Sequence, residues 1–193
     1  MPGPAASLLL FERLTDTGWD ATVSWLGTFC RPVEPVPGGG LDVWIEDATP
    51  IGAGDVRGGG NPFHMAEESE DVFAEYELGG FERSPVQEIV VSAYVPGRDS
   101  HRLLGHPTAS LARRLGALIG CNGLLGHRYD LHGEGPEQEA AAPAAARALV
   151  GGIGGVVHEV PYTSGDGVVR YTHVCDAAFM ESWLRHPEFR MVR

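Results

Sequence analysis

Between Gln87 and Gly126 the chain reads as strand, helix and strand in succession, and that order limits the fold more than any other feature. Glu88-Ile-Val-Val-Ser-Ala-Tyr-Val95 is rich in β-branched and aromatic residues, the composition of a strand. Pro96-Gly97 ends it, because proline has no N–H to give a ladder and glycine permits a turn. Pro107 stands at a natural helix start, followed by Leu111, Leu115 and Leu118 at helical spacings. Leu118-Ile119 with Cys121 forms a second apolar run, closed by Asn122-Gly123. The predicted fold class is α+β: a mixed or mainly antiparallel sheet with about three helices, chiefly packed on one face.

The flanking segments extend this pattern. Ser7 to Phe11 reads as a first strand. Thr15 or Asp16 is placed to cap a helix carrying Trp19, Val23, Leu26 and Cys30 on one face, with Trp25 and Phe29 beside them. The prolines and glycines from Arg31 to Gly40 end that helix. Leu41, Val43 and Ile45 then alternate with Asp42, Trp44 and Glu46, the period of a half-exposed strand. Strand–helix–strand units near residues 7–46 and 88–124 thus suggest two ferredoxin-like halves.

Between them, residues 49–62 are a Gly- and Pro-rich loop, and neither Phe63-His-Met65 nor Val72 to Leu78 has a decisive period. Residues 133–152 are Ala-rich and read as a linker with some helix propensity around Pro143. After it come a strand from Gly155 to Tyr162, a hairpin turn at Ser164-Gly-Asp-Gly167 and a partner strand from Val168 to Cys175. Asp176 is set to cap a last helix whose apolar stripe is Phe179, Met180, Trp183 and Leu184. At 193 residues the whole is expected to be a single α+β domain.

Charge is the strongest functional signal. Residues 32–82 hold twelve acids against Arg57 alone, so this segment carries −11 of the chain's formal −12. Such acidity repels nucleic acid and anionic membrane and attracts basic partners. All 14 basic residues are arginines, which excludes Schiff-base, P-loop and kinase-type lysine chemistry. The three cysteines lie far apart without a C-x-x-C pair, the usage of reduced thiols in a cytoplasmic protein.

Motifs for catalysis are thin. His127, Asp130 and His132 fall within six residues, the kind of cluster zinc or a nucleophilic water would use. No second ligand pair matches it, so the reading is an exposed polar loop and no metal or cofactor is expected. His106-Pro-Thr108 has the form of one half of a paired two-histidine phosphoesterase motif, but that chemistry needs two copies and the chain has one. A cysteine nucleophile served by His158 or His173 competes with the plainer reading of Cys175 as a buried thiol in an apolar strand. Gly151-Gly-Ile-Gly-Gly155 precedes a strand, where it lacks the helix N-terminus that cradles phosphates.

The tail from Asp176 to Val192 resembles the C-terminal signature of an uncharacterised bacterial domain family. So does the core Leu111-Ala-Arg-Arg-Leu-Gly-Ala-Leu-Ile-Gly-Cys-Asn-Gly123, although Ala117 and Cys121-Asn122 depart from the Gly-Gly and Asp-Phe-Gly-Gly-like pattern usual there. The likeness covers the last half of the chain and the first strand. Proteins of this sort are similar in build to the small acidic immunity proteins of bacterial toxin systems. The resemblance implies a binding role and supplies no catalytic residues.

The leading expectation is therefore a non-enzymatic cytoplasmic protein that binds and neutralises a basic, toxin-like protein partner. The expected contacts are Asp42, Trp44 and Glu46 on the alternating strand, with Glu67, Glu68, Glu70 and Asp71 beyond the loop. Two alternatives stand beside it. One is a small hydrolase or nuclease using His127, Asp130 and His132; the other is a structural subunit whose acidic segment keeps it soluble. Elemental analysis separates the first alternative. Purified protein should hold no stoichiometric metal, and about one zinc per chain, lost on changing His127 and His132 together, would overturn that expectation.

Overall fold

The computed structural model describes residues 3–37, 39–56, 61–68, 81–126, 136–163, 167 and 169–192. Its eight strands are β1 (Ala5–Leu10), β2 (Cys30–Pro35), β3 (Leu41–Ile45), β4 (Asn61–Glu67), β5 (Gln87–Ala93), β6 (Leu118–Gly120), β7 (Val157–Thr163) and β8 (Val169–Cys175). Among the described residues there are four helices: α1 (Asp16–Leu26), α2 (Arg98–Leu115), α3 (Pro136–Gly151) and α4 (Ala177–Leu184). A single 3-10 turn covers Thr49–Ile51. The strands form one sheet in the order β2-β3-β4-β5-β1-β6-β8-β7, with every neighbouring pair antiparallel.

The fold is α+β, as the sequence suggests, with one helix more than expected. Because β5 and β6 are each antiparallel to β1, they run parallel to one another with β1 between them. Helix α2 is the crossover that connects them. The first expected unit, over residues 7–46, gains the unexpected strand β2 between α1 and β3, and β4 and β5 separate β3 from β1 in the sheet. Only the second unit closes around a single strand, so the two halves are not equivalent.

Three local expectations change. Helix α2 begins at Arg98, and Pro107 lies inside it instead of starting it. An interior proline costs about 3 kcal/mol. Leu103, Leu104 and Leu111 on the same helix are fully buried, and each contributes roughly 1.5–3 kcal/mol, so packing wins. Residues 30–35, expected only as a break after the helix, form the edge strand β2, where a proline need not give up a ladder bond. Cys30 therefore belongs to a strand, and burial pushes its thiol up to about 12. The Ala-rich stretch is helical from Pro136 to Gly151 and buries Ala146 and Val150. Arg147 fastens it to the hairpin, reaching Glu159 through two bonds of 2.6 and 2.8 Å and lying over the Tyr171 ring.

The hairpin strands β7 and β8 pair from Val157↔Cys175 to Thr163↔Val169; residues 164–166 of the expected turn lie outside the described residues. Thr15 caps α1 by accepting the Gly18 N–H, and Asp176 caps α4 by accepting the Phe179 N–H at 2.7 Å. Phe179, Met180, Trp183 and Leu184 are all buried, and α4 packs on α2 and β6. The two helices approach closely at Gly105, where a Cβ would sit 2.9 Å from both Leu184 Cδ2 and Phe189 Cζ. The C-terminal tail closes over this contact: Trp183 Nε1–H donates to the Arg190 carbonyl, and the Met191 N–H donates to His101 Nδ1.

The four described helices lie on one face of the sheet. Their buried residues join Leu8, Leu10, Val43, Phe63, Met65, Ile89, Val91 and Ile119 in one core, or in the case of α3 reach it through Val150. The opposite face has a small apolar patch of Leu9, Val160 and Val174 with Phe81 and Leu118, to which no described helix contributes.

Two measurements check this packing. Trp183 has no exposed surface, so Trp183→Ala should cost about 3–5 kcal/mol in denaturant unfolding; an unchanged midpoint would remove α4 from the core. His173 is buried on β8, and its Nδ1 accepts the Leu125 N–H at 2.9 Å, which fixes the neutral ring. Burial holds its pKa below the ordinary 6.5, with the Arg147 charge adding to and the Glu159 charge opposing that shift. The unfolded chain thus takes the proton first, so stability is full above 6.5 and falls as pH drops through the folded value. His173→Asn, whose Oδ1 can take the same N–H, should flatten that loss between neutral and mildly acidic pH. An identical pH slope in both proteins would show that His173 is not held neutral by the fold.

Candidate functional site

Strand alternation sorts the sheet residues between the helix-covered face and the opposite face, helix-free in the sense that no described helix covers it. Strand alternation places Leu41, Val43 and Ile45 inward and Asp42 and Trp44 on the helix-free face. The register then carries this face across the sheet. Glu34 on β2 is opposite Asp42, Asp42 is opposite His64 on β4, and His64 is opposite Ser92 on β5. In the next row Trp44 is opposite Pro62, whose carbonyl accepts the Tyr94 N–H.

Asp42 is the centre of this arrangement. Its Oδ1 accepts the Tyr94 hydroxyl at 2.8 Å and lies 2.8 Å from His64 Nδ1. The His64 and Tyr94 rings meet edge to face, with centroids 6.3 Å apart. The hydrogen bond to Asp42 pushes the Tyr94 phenol up, with burial and the Asp42 charge adding to it, so the phenol stays protonated. Two donors on one carboxylate oxygen hold the side chain in place. Trp44 beside it is half-buried.

Further along the same face lies Glu88, opposite Leu9 and almost fully buried at 6% exposure. Burial raises its pKa, the nearby Glu68 charge raises it further, and the Ser7 hydroxyl works against both. One of its carboxyl oxygens, Oε2, is buried without a hydrogen-bond partner among the described residues. Ser7 in turn lies 3.3 Å from Asn122 Oδ1, at a turn where Asn122 takes a left-handed backbone. A raised carboxyl beside a second carboxylate is a group that an incoming cation or donor would satisfy.

The expected contact residues divide. Asp42 and Trp44 lie together on the face that no described helix covers, while Glu68 follows β4 and donates its N–H to the Glu88 carbonyl. Glu46 lies past the end of β3 and pairs at 3.6 Å with Arg31. Glu67 is opposite Ile89, an inward-facing position, and its half-exposed side chain meets Arg13 at 3.2 Å. Glu70 and Asp71 lie outside the described residues. His64, Tyr94, Glu34 and Glu88 were not singled out from sequence. Glu88 left a signal, since it is the one carboxylate in the strand from Gln87 to Ala93. His64 left none, because Phe63-His-Met65 is too short to show its period.

The catalytic alternatives gain no geometry. His127, Asp130 and His132 lie outside the described residues, and among the described residues no three His, Cys, Asp or Glu side chains gather as metal ligands. Cys175 Sγ lies 3.9 Å from Cys121 Sγ, and contact with that thiol, followed by burial, pushes it well above its ordinary value. With His173 Nδ1 engaged by the backbone, Cys175 is not an activated nucleophile. Thr108 commits its hydroxyl to the Leu104 carbonyl at 2.7 Å, one turn back in α2, which is a structural role. Among the described residues, no helix is long and apolar enough to cross a membrane.

No curated protein and no solved structure matches the chain. A family model does, and it covers residues 2–193. The chain belongs to a family of unknown function, DUF6368.

Proposed function

We propose that this chain is a non-enzymatic binding protein whose helix-free sheet face receives a basic segment of a protein partner. The observation that carries the reading is Asp42, held by Tyr94 and His64 beside the half-buried Trp44 on a face that no described helix covers. Glu34 and Glu68 extend the negative charge along that face, and neither has a cationic partner among the described ion pairs. An aromatic side chain set among carboxylates gives an interface an apolar anchor with a charged rim. The acids steer a basic surface inward, and Arg side chains of a partner can pair with them once desolvated. The resemblance to immunity proteins adds the identity of such a partner: a basic toxin domain, held inactive by the contact in the cytoplasm. The inner sheet face is taken up by the core, and the opposite face is the one that no described helix covers.

The test is capture from the native lysate by the parent and by two folded variants, Trp44→Ala and the pair Asp42→Asn with Glu68→Gln. The parent should retain a basic protein, with capture weakening as salt rises, because screening acts on steered association. Once that partner is purified, Trp44→Ala should weaken its affinity by about 2 kcal/mol, or roughly 30-fold, and the charge variant should mainly slow association. If no basic protein is retained, or if both variants bind it as the parent does, the face is not the binding site.

A further inference from the structure

On the other side of the molecule, the outer surface of α2 has a character opposite to that of the chain as a whole. A cleft of about 790 Å³ runs between α2, α4 with the chain after it, and the 3-10 turn. Its walls hold four arginines, Arg98, Arg102, Arg113 and Arg185, and two histidines, His106 and His186. Arg98, Arg102, His106, Ser110 and Arg113 recur every three or four residues, so they form one stripe along α2. From Arg98 to Arg113 that stripe runs roughly 22 Å, at 1.5 Å of rise per residue. The chain's formal charge is −12, yet here four guanidinium groups face one lining carboxylate, Glu181.

Ion pairing within the fold explains half of this. Arg113 pairs with Glu181 and ties α2 to α4, while Arg102 reaches Asp55 at 2.9 Å and ties α2 to the loop after the turn. Among the described residues, Arg98 has no carboxylate in reach, and Arg185 bonds only the Ser182 hydroxyl, at 3.2 Å. His106 Nδ1 lies 3.1 Å from the Ile51 carbonyl, which can only accept, so Nδ1 carries the proton and Nε2 is left over. The cleft has the volume of a small-molecule site and an excess of fork-shaped donors, with the Ser110 hydroxyl among them.

We propose that this cleft binds a small soluble organic phosphate, with Arg98 and Arg185 as its anion ligands. Phosphate fits because guanidinium groups bind it in bidentate fashion and bring their charge at every pH the protein meets. A long polyanion does not fit, because the acidity of the rest of the chain repels it outside the cleft while a small ligand sees mainly the local arginines. Bound anion also relieves the repulsion among cations along α2. His106 Nε2 would meet a phosphate as acceptor when neutral and as donor when protonated, with Arg102, Asp55 and Glu181 as the charges around it.

Calorimetric titration with pyrophosphate and with ribose 5-phosphate tests the site. At least one probe should bind saturably and raise the melting temperature. Arg98→Gln with Arg185→Gln should weaken that binding about tenfold or more, the loss expected for charge-assisted bonds, without lowering the melting temperature of the unliganded chain. Should the double variant melt early, Arg98→Gln alone replaces it, since that side chain is exposed in the first turn of α2. The Asp42→Asn chain should bind the probe as the parent does, which separates this site from the acidic face. Absence of binding by both probes, or equal binding by parent and arginine variants, would refute the proposal.

Discussion

The structure depends on β1 being paired along both edges. Leu8 is opposite Ile89 on β5 and Ile119 on β6, and none of the three has exposed surface. Two strands that flank a third antiparallel to both must run in the same direction, so the chain between them has to cross the sheet. Helix α2 makes that crossing, and in doing so it lays Leu103, Leu104 and Leu111 over the centre of the sheet. Its position then sets the others: α4 packs on it at Gly105, and the tail is tied to it through His101. Without the two-sided pairing of β1, both β5 and β6 would lose a ladder and α2 would lose the surface it covers.

Putting the four described helices on one face leaves the two sides of the molecule with different chemistry. The open side presents carboxylates with Trp44, His64 and Tyr94; the helical side carries the arginine stripe of α2. Net charge conceals this separation, since a total of −12 suggests a uniformly acidic body. Electrostatic potential near a surface follows the local charges once salt screens distant ones. The two proposed ligands, a basic protein on one face and a small anion on the other, are therefore compatible on one chain.

Alternating residues made part of this legible in sequence. Leu41 to Glu46 declared which side chains point in and which point out, and Asp176 with the stripe after it declared a capped helix. The −11 of residues 32–82 declared an acidic region, though not its shape. The arginine stripe on α2 was also present as a three-or-four-residue recurrence. It stayed hidden because Pro107 suggested a helix start there, which cut the stripe in two. Asp42, His64 and Tyr94 meet only through strand pairing, and no short-range pattern connects positions so far apart in the chain.

The sequence by itself determined the α+β class, the turn at Asn122-Gly123, the capped last helix and the segregation of charge, because each rests on contacts between near neighbours or on composition. Tertiary structure decided the rest. It placed β1 between β5 and β6, kept Pro107 inside a helix, drew Pro32 and Pro35 into an edge strand and made a helix of the Ala-rich stretch. The physical reason is the same in each case. Burial of apolar surface against distant residues outweighs a local preference worth at most a few kcal/mol, and the identity of those distant residues is not written in the local sequence.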